Sequence, residues 1–174
     1  MALAQGESIS VIRKTLTQVR RNHALEHATV SLMIEEGVRG PLGGYSLPWG
    51  FFIVGNLSTE QLERIVDTAR RSLNAGNSEM AISPHCGTNI ALATLFSGIL
   101  SRLALGKSNR LSWKRLPLVL GAVVVGALLS RPIGNAVQRH FTTLPDIGAL
   151  EVVSVRKAWP GDQPRLHRVF TQMP

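Results

Sequence analysis

The 174-residue chain has a single cysteine, a single tyrosine, and aromatic side chains at only 5% of its positions. One thiol excludes an intramolecular disulfide, so any role for Cys86 is chemical or metal-related. Acidic residues are scarce as well: 11 Asp and Glu stand against 19 Lys and Arg, a net charge of +8. Residues 1–10 lack a basic start followed by an apolar run, so no signal peptide is expected, and no lipidation motif is apparent. Neither an internal repeat nor a low-complexity segment is present.

The excess positive charge is local. Residues 1–87 carry eight basic and eight acidic side chains, whereas Arg102, Lys107, Arg110, Lys114 and Arg115 crowd residues 102–115 without an acid. A nucleic-acid binder would spread basic residues and aromatics over its folded part. The folded part here is neutral, and nucleic acid is not an expected partner.

The basic cluster instead links two apolar runs, residues 89–105 and 116–130, the second extensible to 137 past Arg131. As helices the two runs reach about 25 Å and 22 Å, against a hydrocarbon core of about 30 Å. A composition 44% apolar with a mean hydropathy of +0.12 suits a small domain joined to a membrane element. A two-helix transmembrane hairpin with the lipid bilayer as partner is therefore predicted. Small residues four apart, Thr94/Gly98 and Ala122/Gly126, would let helices approach closely, within the hairpin or toward a membrane-protein partner or second copy. Five positive charges place the link on the cytoplasmic side and both termini outside. A neutral domain of more than eighty residues crossing without a signal sequence argues the reverse.

Around the hairpin the pattern is α+β. Apolar positions spaced by three and four predict a first helix over residues 8–36, stopped by Gly37 and Gly40-Pro41. Residues 42–55 mix turn formers with Trp49, Phe51, Phe52, Ile53 and Val54, giving one or two short strands. Ser58 with Gln61 three residues on is a capping-box start for a second helix, and Leu57 can staple onto Leu62. Leu62, Ile65, Val66, Ala69 and Leu73 line one face of it, and Gly76 stops it. Glu60/Arg64 and Asp67/Arg71 are favourable pairs on the other face. Short strands are predicted at residues 80–83, 150–155 and 166–170. The expected organisation is an α+β domain over residues 1–87, the hairpin over 88–137, and a strand-containing tail over 138–174 packed on the first domain.

Within the first helix lies His23-Ala24-Leu25-Glu26-His27. Positions four apart on a helix share a face, so both imidazoles can reach one ion, with the carboxylate on the adjacent strip. This is the H-x-x-E-H arrangement in which two His bind zinc and the Glu handles the protons of a water. The histidines continue the apolar stripe Ile12, Leu16, Val19, His23, His27, Val30 and Ile34, so they face inward, where a polar group needs a partner. His85-Cys86-Gly87-Thr88-Asn89 opens the first apolar helix. A helix N-terminus favours a thiolate, so Cys86 or His85 is expected as a third metal ligand, the fourth position being left to water.

These blocks, together with the Ser58-Thr59-Glu60-Gln61-Leu62 helix start and Cys86-Gly87-Thr88-Asn89, resemble an uncharacterised family of small bacterial membrane proteins, a domain of unknown function, over residues 20–130. A more distant similarity is to the YqhQ-like membrane proteins, which pair His-x-x-Glu-His with Cys-Gly-Thr. That resemblance implies a metal-dependent enzyme and a His three residues before the Cys; here Ser83 stands at that position and His85 follows it. The leading expectation is a membrane-anchored zinc site with hydrolase chemistry, Glu26 acting as general base on a membrane peptide or lipid-linked substrate. A non-catalytic membrane subunit or scaffold whose His/Glu/Cys cluster is structural is the alternative. Thiol chemistry, with Cys86 as nucleophile and His27 as base, is the third.

Overall fold

The hairpin interrupts a domain built from both ends of the chain. In the computed structural model, which describes residues 2–106, 112–158 and 166–173, Met1–Ser83 and Arg139–Pro174 form one unit and Pro84–Gln138 a second. The elements run α1 (Ala2–Glu35), β1 (Gly43–Leu47), β2 (Gly50–Val54), α2 (Thr59–Asn74), α3 (Gly87–Leu105), α4 (Leu116–Val137), β3 (Glu151–Lys157) and β4 (Leu166–Gln172). The fold is a mixed α+β one, with a small antiparallel sheet. Lys107 and Arg110 of the basic link lie outside the described residues.

In the first unit the four strands pair antiparallel in the order β1-β2-β4-β3. Strand alternation sends Phe51 and Ile53 of β2 and Val169 of β4 inward, each fully buried. They meet Leu25 and Met33 of α1, Leu62, Ile65 and Val66 of α2, and Ile147 and Leu150. Gly50, at φ +145°, turns the β1–β2 hairpin where any Cβ would run into the Val169 carbonyl. Helix α2 begins with the expected capping box: the Ser58 hydroxyl accepts from Gln61 N–H, and Gln61 Oε1 accepts from Ser58 N–H. Asp67 pairs with both Arg70 and Arg71. Glu60 does not join Arg64; its carboxylate accepts from its own N–H and the Ser58 hydroxyl, which hold it below the ordinary range.

Three local expectations change. Helix α1 starts at Ala2 rather than near residue 8, since nothing before Ser8 stops a helix. Among its described side chains, burial falls in the C-terminal half: Ile12 and Leu16 are 59% and 58% exposed. Residues 80–83 do not form a strand. A 3₁₀ turn occupies Ser78–Ala81, closed by Met80 N–H to the Asn77 carbonyl and followed by Ile82 N–H to the Glu79 carbonyl. A period-two pattern of four residues is too short to separate strand from turn.

In the second unit α3 and α4 form the antiparallel hairpin. Span-length helices run Gly87–Leu105 and, through the π turn Gln138–Thr142, Leu116–Thr142, both apolar and long enough to cross a membrane. Their mutual seam is made by Gly126, Ser130 and Gly134, the buried residues of α4, spaced by four. A Cβ on Gly126 would come within 2.5 Å of the Ser97 nitrogen, and the Ser97 hydroxyl donates to the Val123 carbonyl at 3.0 Å. Gly98, by contrast, has open space around it, so the close approach falls one residue earlier on α3 than the Thr94/Gly98 spacing suggests.

Candidate metal centre

His23 and His27 stand one turn apart on α1 with ring centroids 4.3 Å apart. Each ring is held by a backbone carbonyl from a different segment: His23 Nδ1 meets the Thr142 carbonyl at 3.0 Å and His27 Nδ1 the Ala81 carbonyl at 2.7 Å. A carbonyl only accepts, so both protons sit on Nδ1 and Nε2 becomes the lone-pair nitrogen in each ring. Metal-ligating histidines are oriented in this way by the partner at the other nitrogen.

Cys86 is the N-cap residue of α3, buried, with its thiol 3.5 Å from the Thr88 hydroxyl. It follows Ala81, whose carbonyl fixes His27, by five positions, so the chain tethers the thiol within about 17 Å of that point. One nitrogen each of His23 and His27 and the Cys86 sulfur in fact lie within 4.8 Å of one another. Tetrahedral nitrogen and sulfur ligands of zinc sit about 3.5 Å apart, a difference that side-chain rotation covers. Two neutral imidazoles and a thiol beside helix N–H groups form a donor set suited to a divalent ion with affinity for nitrogen and sulfur.

His85 is not part of this group. It is exposed, whereas Cys86 beside it is buried, as adjacent residues entering a helix point in different directions. Ser83 is 5% exposed.

Glu26 is 5% exposed and turned toward β1, where its Oε2 accepts from the Ser46 hydroxyl at 2.5 Å. Burial raises its pKa above the carboxylate's usual 4.5, while the Ser46 bond and the electrostatic pull of the nearby His23 ring oppose the rise. Gly44 makes room for it: a Cβ there would lie 2.6 Å from Glu26 Cγ. Asn22 ties the same turn of α1 to the sheet, donating to the Leu47 carbonyl at 2.7 Å and accepting from the Thr171 hydroxyl at 2.7 Å. Ser46, Gly44 and Asn22 carry no motif of their own. Only the strand register, placing Ser46 opposite Phe51, brings Ser46 and Gly44 under α1 and Leu47 within reach of Asn22.

The model of the family described as a domain of unknown function, DUF6391, matches residues 18–155. An uncharacterised protein of Picosynechococcus sp. is 32% identical over 153 residues, covering 81% of this chain and 73% of its own. No solved structure matches the chain.

Proposed function

The chain belongs to the DUF6391 family, whose description assigns no activity, and from that premise we propose that it is a membrane-anchored, metal-dependent hydrolase. The observation that carries the reading is the His23, His27 and Cys86 group, with ligand atoms within 4.8 Å. Zinc suits the donor set and leaves one position open for a water or substrate oxygen, which the ion would polarise. Glu26, next to His27 and withdrawn from solvent, would be the general base, taking a proton from the attacking water and giving it to the leaving group. Ser46 holds that carboxylate at one oxygen. The Thr142 and Ala81 carbonyls keep both rings in the tautomer that binds. Helices α3 and α4, with apolar outer faces carrying Ile90, Leu95, Leu103, Leu118 and Leu128 exposed, serve as the anchor.

Metal analysis of the purified full-length chain is the direct test. About one equivalent of zinc is expected, and it should be lost in the His23→Ala plus His27→Ala variant. Glu26→Gln should keep the metal and abolish hydrolysis. A protein that purifies without zinc and does not take it up would remove the reading. If Glu26→Gln left function unchanged, the cluster would be a structural tie in a non-catalytic membrane subunit.

A further inference from the structure

The apolar stripe of α1 does not end at the metal ligands; it continues toward the N-terminus as Val19, Leu16, Ile12 and Ile9, and there it is uncovered. Ile9, Ile12 and Leu16 are 60%, 59% and 58% exposed. Between this stripe and Phe141 and Thr142, within the first unit, runs a groove of about 710 Å³. That volume is in the range that holds small-molecule ligands. From Ile9 to His23 the helix rises about 21 Å, so the groove is long, and His23 lines its inner end.

Two cations, Arg13 and Arg20, line the same groove. Arg20 stands one turn before His23 on the same side of the helix. Its Nη2 is fixed by the His140 and Thr143 carbonyls, each at 3.0 Å. Its Nε is buried without a hydrogen-bond partner, and no carboxylate pairs with Arg20 among the described residues. A guanidinium that is held in place and carries no counter-charge is a prepared anion site. The groove therefore offers an apolar trough along most of its length and a positive charge at the end nearest the metal ligands.

We infer that this groove takes an anionic single-chain amphiphile, with its acyl or alkyl chain along Ile9, Ile12 and Leu16 and its phosphate or carboxylate at Arg20. The inference rests on the proposed function in one respect: the bound head group is then the part of the substrate presented to the metal site. A second copy of the chain is a poorer occupant, because a two-fold contact sets this face against itself and so brings two unpaired positive faces together without an acid on either. A purely apolar segment would leave Arg20 without an anion.

The test is photolabelling of the full-length protein in phosphatidylcholine nanodiscs with a diazirine-bearing hexadecyl phosphate, mapped by mass spectrometry. Label is expected on Ile9, Ile12 and Leu16, displaced by excess hexadecyl phosphate but not by hexadecyltrimethylammonium or inorganic phosphate. Leu16→Trp fills the groove at an exposed site that folding tolerates, and should cut labelling about tenfold while zinc content stays unchanged. Arg20→Gln should bring hexadecyl phosphate and hexadecanol to equal competition. Label spread evenly over α3 and α4, equal displacement by the cationic amphiphile, stronger displacement by an apolar peptide, or no effect of Leu16→Trp would each overturn the inference. The unsubstituted protein separates the two readings. Labelling of a protein that purifies without zinc and takes none up leaves the groove and removes the metal site, whereas bound zinc without labelling does the opposite.

Discussion

Replacing His167 by leucine should stabilise this protein, and increasingly so as the pH falls. His167 sits on β4 between Ile53 and Lys157 of the neighbouring strands, facing the core and fully buried. Neither ring nitrogen has a hydrogen-bond partner among the described residues. Leaving a buried polar group unsatisfied costs about 1–3 kcal/mol. Leucine removes that cost and adds apolar burial, so a gain of about 1–3 kcal/mol at pH 7.5 is expected. Burial also lowers the His167 pKa from its usual 6.5, with Lys157 adding to the effect and Glu60 opposing it. The neutral ring is the folded form. Below pH 6.5 the unfolded chain takes up a proton that the folded chain refuses, and the wild type loses about 1.4 kcal/mol per pH unit until the folded ring protonates too. The leucine variant has no such loss. Both proteins share every other titrating group, so the difference between their stabilities isolates this one. The assay is urea unfolding in detergent followed through Trp49, which packs 5.3 Å from Phe170 on the same strand, in a background with Trp113 and Trp159 changed to Phe. A gap that stays constant between pH 7.5 and 5.5, or a variant less stable than the wild type, would refute the reasoning.

Ser46→Ala removes the donor to the buried Glu26 carboxylate and should cost about 1.5–3 kcal/mol, the worth of a hydrogen bond to a charged group. Denaturant melts read that loss, while zinc content should not change. Gly126→Leu forces a side chain into the Ser97 backbone and should separate α3 from α4, whereas Gly98→Leu, in open space, should leave them together. Distances between spin labels on the two helices distinguish the outcomes. Ser58→Ala breaks the capping box of α2 and should lower stability by about 0.5–2 kcal/mol, with faster amide exchange in its first turn.

Features set by neighbours in sequence were legible before any coordinates. The Ser58/Gln61 cap, the buried face of α2, the two apolar helices and the pairing of His23 with His27 on one side of α1 all follow from spacings of three and four. The sheet strands were visible as short apolar alternations, but their order was not, because pairing β4 with β2 joins residues more than a hundred apart. Ser46 and Gly44 were invisible for the same reason. Their importance to Glu26 arises from register, and a serine or glycine in a strand announces nothing. Cys86 was singled out by its place at a helix start, while His85 beside it offered identical credentials in sequence and only the turn into α3 separates them. The exposed half of the α1 stripe looks like core in the sequence because periodicity reports an apolar face and not what covers it.

The sheet's second-to-last position belongs to the chain's final strand. β4 lies between β2 and β3, yet it is synthesised only after the whole hairpin. At ordinary elongation rates of about 5–20 residues per second, several seconds pass in which β2 has one bare edge. Because the strand that closes the sheet must return to where β2 waits, the segments before and after the α3–α4 hairpin end in one sheet, a closure imposed by backbone pairing alone.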